Sequence, residues 1–66
     1  MIGHDRTKLF LNKAVHVSCK GRFYNGVLVK IDSEGVFLII DDFKLGEMPI
    51  LLQDILNIEP FKEEGK

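Results

Sequence analysis

The chain has 66 residues, of which 45% are hydrophobic and 29% charged, and its formal net charge is −1. A chain this short forms one domain and buries only about 60% of its unfolded surface, which leaves a lone monomer marginally stable. The single cysteine excludes an internal disulfide, and no Cys/His cluster predicts a structural zinc site. We therefore expect oligomerisation to supply the missing stability.

The sequence predicts neither a membrane segment nor an active site. The longest apolar run, residues 36–40, is far shorter than the roughly 18 residues that span a bilayer, and the start lacks a signal-peptide core. No nucleophile–base arrangement and no glycine-rich phosphate loop is visible. We expect a soluble cytoplasmic protein that is not an enzyme and carries no metal or other cofactor.

The near-zero net charge conceals two halves of opposite sign. Residues 1–30 carry six Lys or Arg against one acid, and residues 31–66 carry three against nine. One interpretation is a self-complementary, solvated surface. The alternative is a basic patch in the first half that binds a polyanion.

The first predicted element is a short helix over residues 4–12. Asp5 is a suitable N-cap, because its carboxylate accepts hydrogen bonds from the free N–H groups of a first turn. Leu9 and Phe10 then form a small apolar face that packs on the rest of the domain.

From residue 14 the apolar period changes from helical spacing to two, which predicts a half-buried strand over residues 14–19. A turn at residues 20–21 leads to a longer strand over residues 22–32. Gly26 lies inside this strand, where either a sharp bend or a close backbone approach needs the missing Cβ. Of the two, we expect the bend, because a small barrel requires strongly curved strands.

Three further strands follow. A turn at 33–35 precedes the apolar run 36–40, which predicts a central strand covered on both faces. After a polar loop, Pro49 favours an edge position for the next strand, because proline cannot donate a ladder hydrogen bond. The remaining predicted elements are a strand over 47–52, a corner at 53–54, a strand over 55–59 and a charged tail over 62–66. The fold class is all-β: a small, strongly bent, five-stranded SH3-like barrel over residues 14–59 behind a short helix.

Residues 20–32, KGRFYNGVLVKID, resemble the first motif of the Sm-like (LSm) family. They contain a Gly-Arg turn, an aromatic residue two before Gly26, Leu28 two after it and the closing Asp32. Asp41 falls where that motif places its second Asp. Residues 45–47 and 55–58 resemble the frame of the second motif, so the resemblance covers residues 9–60. It implies an Sm-like barrel that assembles with itself into rings of six or seven subunits and binds single-stranded, often uridine-rich, RNA.

The residues themselves favour such a ring. An incompletely closed sheet leaves edges that invite pairing, and the apolar run 50–52 on the predicted edge strand places at least one side chain in water on a lone subunit. Pairing this strand with the last strand of a neighbour gives a head-to-tail contact that closes into a ring. The alternative is that the whole run is buried inside one subunit. The predicted interface residues are Ile50, Leu51, Leu52, Ile55 and Ile58.

The RNA pocket that the resemblance implies is matched at one position only. The family places an Asp, a stacking side chain, an Asn and an Arg-Gly pair where this chain has Asp32, Glu34, Val36, Leu51 and Leu52. Base stacking needs a flat surface and base recognition needs donors and acceptors, which Val and Leu lack. We therefore predict that the usual uridine pocket is absent.

RNA binding through a basic surface remains open. The candidate phosphate contacts are Arg6, Lys8, Lys13, Lys20 and Arg22, and such contacts tolerate many sequences and weaken with salt. Phe23 and Tyr24 offer rings for stacking, although we expect both in the core of a small barrel. His16 is expected on the less buried face of its strand, and Cys19 as a small hydrophobe.

Two functions from different classes therefore compete. The first is an Sm-like ring that binds RNA through its basic surface. The second is a diverged Sm-like scaffold that assembles with itself or with another protein and does not bind RNA. An unrelated SH3-like peptide adaptor is a third possibility, since fold alone does not settle function.

Overall fold

The computed structural model describes residues 4–62. Within them one short helix precedes five strands: α1 (His4–Lys8), β1 (Ala14–Cys19), β2 (Arg22–Ile31), β3 (Phe37–Asp42), β4 (Gly46–Leu51) and β5 (Ile55–Pro60). A 3-10 turn over Leu52–Asp54 joins the last two strands. The domain is therefore mainly β with a short N-terminal helix, as the sequence predicts. No described helix is long and apolar enough to cross a membrane.

The five strands form one antiparallel sheet in the order β4-β3-β2-β1-β5. The strands β4 and β5 are its two edges, and within residues 4–62 each pairs with a neighbour on one side only. Pro49 lies in β4 opposite Ile39 of β3. The edge position predicted from this proline is confirmed.

The glycine in β2 lies between two neighbouring strands. Gly26 is opposite Val15 of β1 on one side and Asp42 of β3 on the other. A Cβ at this position would overlap the carbonyl oxygen of Asp41 and would lie 2.7 Å from the Cα of Asp42. The sequence suggested a bend as the reason for this glycine, and the structure adds the close approach of the β3 backbone.

The hydrophobic core is built from alternate strand positions, because successive side chains of a strand point to opposite faces. Both β1 and β2 follow this period of two, with buried Val15, Val17 and Leu28. The 3-10 turn contributes Leu52. The complete buried apolar set is Val15, Val17, Leu28, Leu38, Ile40, Ile50, Leu52, Ile55 and Ile58.

The helix is shorter than predicted. It ends at Lys8, and turns continue the chain to Asn12, whose φ is +67°. The exposed fraction of Leu9 is 70%, whereas Phe10 packs against the core. The predicted apolar face of two residues was therefore wrong for Leu9, because the helix ends before both residues and the turn that follows places only Phe10 against the core.

The strand predicted over 36–40 begins one residue later and ends two residues later, and it is not covered equally on both faces. Its first residue is Phe37, and Val36 is 51% exposed. The side chains of Leu38 and Ile40 are fully buried, and that of Ile39 between them is half-buried. The predicted tail lies outside the described residues except for Lys62, which is exposed.

Candidate nucleic-acid and ligand-binding surfaces

The five basic residues predicted to contact RNA are all exposed, and the strands separate them into two sets. Arg6 and Lys8 belong to α1, and Lys13 follows closely, with its N–H donating to the carbonyl of Phe10 at 3.0 Å. We call these three residues the helix-end basic set.

The second set, Lys20 and Arg22, flanks the turn at the opposite end of β1. The six residues of β1 lie between Lys13 and Lys20, and the seven steps along this extended chain span roughly 23 Å at the rise of a strand. Arg22 Nη1 donates to the hydroxyl of Tyr24 at 3.3 Å, and this hydrogen bond raises the pKa of the guanidinium. The five cations therefore do not form one continuous patch within a subunit.

The positions equivalent to the family's RNA pocket are brought to one end of the sheet. Asp32 closes the turn between β2 and β3: its Oδ2 accepts from the N–H of Val36 at 3.2 Å and its carbonyl from that of Gly35 at 2.9 Å. The N–H of Leu52 in turn donates to the carbonyl of Val36 at 3.0 Å. Among the pocket-equivalent positions, the exposed side chains are acidic or aliphatic: Glu34, Val36 and Leu51.

Most of the predicted interface side chains lie inside the subunit. Ile50, Leu52, Ile55 and Ile58 belong to the core, whereas Leu51 is 42% exposed. The run 50–52 therefore places one side chain in solvent, as the strand period requires. The groups near these positions that remain available for contact with another subunit are the backbone edges of β4 and β5 and the side chain of Leu51.

An aromatic groove of about 510 Å³ lies beside the start of β2. Large apolar side chains are unusually exposed in it, with exposed fractions of 65% for Phe23, 55% for Phe43 and 71% for Leu45. The residues that line the groove are Arg22, Phe23, Tyr24, Asn25, Asp42, Phe43, Lys44, Leu45 and Phe61.

Three separate segments supply the rings of this groove. Phe43 is held in the turn after β3, where its N–H donates to the carbonyl of Asn25 in β2 at 2.9 Å. Phe61 follows β5, with its N–H donating to the carbonyl of Ala14 at 3.0 Å. The two rings meet edge to face, with centroids 5.2 Å apart and an interplanar angle of 71°. The groove is therefore assembled by the tertiary fold.

The turn between β3 and β4 is fixed by Asp42. Its Oδ1 accepts hydrogen bonds from the N–H groups of Lys44 at 2.9 Å and of Leu45 at 3.0 Å. These two bonds lower the pKa of the Asp42 carboxyl below its ordinary value of 3.8. The two bonds thus favour the ionised form of this carboxyl in the wall of the groove.

A second depression of about 290 Å³ adjoins the groove and shares Asn25 and Phe61 with it. His16 lies on its floor, with Nδ1 2.6 Å from Oδ1 of Asn25 and its ring packed on Phe23 at a centroid distance of 5.4 Å. Glu59, opposite His16 in β5, also lines this depression. Because they share lining residues, the two depressions form one continuous surface.

The prediction that Phe23 belongs to the core was wrong, whereas Tyr24 packs against it. The inward positions of β2 are those of Leu28 and Gly26, and Phe23 has the opposite parity. The signal in the sequence was Asn25, a polar residue on the same face as Phe23. Sequence reasoning did not find Phe43, Lys44, Leu45 or Phe61 at all, since their proximity depends on tertiary structure.

Other chemistry is limited in the described part of the chain. Among residues 4–62, no group of three or more His, Cys, Asp or Glu side chains has an arrangement that could hold a metal ion. Burial, reinforced by the nearby Asp54 carboxylate, raises the pKa of the Cys19 thiol above its ordinary value of 9.0, so the reactive thiolate is disfavoured.

Comparison with known proteins gives no relative: no family model, no curated protein and no solved structure matches this chain.

Proposed function

We propose that the chain is an Sm-like subunit whose sheet bends into an incompletely closed barrel, assembles into a homo-oligomeric ring and binds single-stranded RNA through its basic surface. The observation that carries the proposal is the strand order, which leaves β4 and β5 as free edges at the two ends of one sheet. The resemblance of residues 9–60 to the family adds the expected ring size of six or seven subunits.

The two edges are suited to pair with each other in neighbouring subunits. An unpaired strand edge presents free N–H and C=O groups, and an apolar side chain beside it adds burial on pairing. Leu51 on β4 and Leu56 on β5 are 42% and 59% exposed. A contact from β4 of one subunit to β5 of the next is head-to-tail, and a ring closes it without leaving a free edge.

The helix-end basic set is the proposed contact for RNA. Its three cations are exposed and close in sequence, whereas the pocket-equivalent end presents Glu34 and aliphatic side chains. Phosphate contacts made by cations carry little base preference. A ring repeats the set once per subunit, so a strand that touches several subunits binds by avidity. The expected binding is therefore tolerant of sequence and strongly weakened by salt.

A double substitution tests this surface. We expect the change of Arg6→Ala with Lys8→Ala to weaken binding of labelled oligo-uridine and oligo-adenosine alike, measured by fluorescence anisotropy at several salt concentrations. The slope of log K against log salt should fall in magnitude by about 0.7 for each phosphate that the variant no longer neutralises. The matched control is Lys44→Ala with Lys62→Ala, which removes the same charge elsewhere.

Three results would contradict the proposal. The first is unchanged binding in the Arg6/Lys8 variant, and the second is an equal loss in the control, which would indicate a response to net charge alone. The third is a tight preference of the wild-type protein for uridine, which would mean that a base-reading pocket is present despite Val36 and Leu51.

The scaffold function is the second candidate, and the exposed acidic and aliphatic end of the sheet is the observation that favours it. Glu34, Val36 and Leu51 supply neither stacking surfaces nor hydrogen-bond donors for bases. A ring that shows its native mass but binds neither oligonucleotide at low salt would support this function over RNA binding. In either case the proposal places the ring in the cytoplasm, where a free thiol such as Cys19 stays reduced.

A further inference from the structure

The aromatic groove is a concave surface whose lining is unusual for a solvated sheet face. Its apolar side chains Phe23, Phe43 and Leu45 are each more than half exposed and come from two different segments of the chain. Isolated exposed apolar residues are common on protein surfaces, but a contiguous concave cluster marks a binding site. The volume of about 510 Å³ lies within the range of roughly 300–1,000 Å³ that ligand sites occupy.

The shape indicates an extended ligand. The adjoining depression shares Asn25 and Phe61 with the groove and adds about 290 Å³. A compact small molecule fills one concave site, whereas two adjoining depressions that share lining residues accommodate neighbouring side chains of a polymer.

The geometry of the rings is poorly suited to a run of stacked bases. Phe43 and Phe61 meet at an interplanar angle of 71°, so no parallel gap between them is available to a base. One side of Phe23 is occupied by the ring of His16. The rings instead form angled walls, into which branched or aromatic side chains fit.

The charges favour a weakly acidic ligand over a polyanion. Arg22 and Lys44 line the groove and Lys62 lines the adjoining depression, while Asp42 and Glu59 are the two carboxylates of the surface. The Asp42 carboxylate is engaged by two backbone N–H groups, but its negative charge remains. A nucleic acid carries a phosphate at every nucleotide, so one phosphate would lie against the negative charge of Asp42. A peptide can carry acidic residues beside Arg22 and Lys44 and none beside Asp42.

We propose that the aromatic groove docks an extended segment of a partner protein that combines bulky apolar side chains with acidic residues. The apolar side chains enter between Phe23, Phe43 and Leu45, and the acids pair with Arg22 and Lys44. Aromatic residues, phenylalanine among them, and arginine are enriched in the centres of protein interfaces relative to the rest of the surface. The site is complete within one subunit and does not depend on the ring or on RNA binding.

The test begins with phage-displayed random peptides of 12 residues selected on the purified full chain. We expect the enriched peptides to share a Leu, Ile, Phe or Trp flanked by Asp or Glu. A fluorescein-labelled synthetic consensus peptide should then lose about tenfold or more in affinity with Phe43→Ala. Lys44→Glu should give a similar loss while leaving the fold unaffected, because the Lys44 side chain is exposed. The matched control is Leu9→Ala, since Leu9 is 70% exposed outside the groove.

The failures of the two proposals are distinguishable. The groove proposal is overturned if no peptide is enriched, if the enriched peptides bind Phe43→Ala and Lys44→Glu as well as the wild type, or if these variants lose oligonucleotide binding instead. The RNA proposal is tested by the Arg6/Lys8 variant, which should bind the consensus peptide with unchanged affinity.

Discussion

Replacing Leu51 by Arg is the most direct test of the proposed assembly, because Leu51 is not part of the subunit core but lies exposed on an edge strand. Leu51 lies at the end of the edge strand β4 and is 42% exposed. Fully burying a leucine contributes about 1.5–3 kcal/mol, so covering the exposed part contributes about 1 kcal/mol at each interface. An arginine buried there without a partner costs several kcal/mol instead.

The expected result is a loss of the ring with retention of the subunit fold. A difference of several kcal/mol at each interface corresponds to at least about a hundredfold weaker association. Light scattering coupled to gel filtration should therefore show a lower native mass for Leu51→Arg, while far-ultraviolet circular dichroism still shows β structure. Leu56→Arg on β5 should behave in the same way, and Leu9→Arg, which lies on neither edge, should keep the native mass.

A native mass for Leu51→Arg equal to that of the wild type, across a dilution series, would refute the pairing of β4 with β5. The melting temperatures of wild type and Leu51→Arg must be compared at one protein concentration, because assembly stabilises a subunit by mass action. A lower value for the variant would then agree with loss of the ring.

Two further predictions concern the fold. Gly26→Ala should destabilise the domain by about 3 kcal/mol or more, since the new Cβ meets the backbone of Asp41 and overpacking against backbone is not relieved by a rotamer change. Gly21→Ala is the control: its Cβ meets no atom within 4 Å, and the strain of its φ of +78° should cost only about 1 kcal/mol. Similar melting temperatures for the two variants would contradict this account. Because the pKa of Asp42 is lowered in the folded state, its ionised form stabilises the fold above the ordinary value of 3.8 and this stabilisation is lost as the pH falls through the lower, folded-state pKa. The melting temperature of Asp42→Ala should therefore lie below that of the wild type at pH 7 and approach it in acid, whereas a constant difference would show that the charge is irrelevant.

The strands could be predicted because their signals are local. The alternation over β1 sets its burial pattern within six residues, and the turn at Gly21 requires a positive φ that glycine adopts without strain. The edge position of β4 followed from Pro49, since a missing donor restricts where a strand can lie. Each of these inferences depends on neighbours in sequence.

The groove could not be predicted, because its residues come together only through the register of the sheet. Phe43 lies in a turn and Phe61 after the last strand, and nothing in their local sequence indicates that their rings meet. Phe23 and Tyr24 are adjacent aromatic residues on opposite faces of β2, and either could have been the inward one. Leu28 points into the core, so Tyr24, four residues before it in β2, lies on the same inward face. This assignment depends on knowing which face of the strand packs on the core.

The two proposals assign their ligands to surfaces that would hold them by different forces. As proposed, Arg6, Lys8 and Lys13 act through charge alone, so their hold on a polyanion weakens as counterions accumulate. The proposed groove combines burial of Phe23 and Phe43, which salt does not screen, with the charges of Arg22 and Lys44, which salt does screen. RNA should therefore be released at a lower salt concentration than a docked peptide. Under both proposals together, a ring would keep a protein partner while it exchanges one RNA for another.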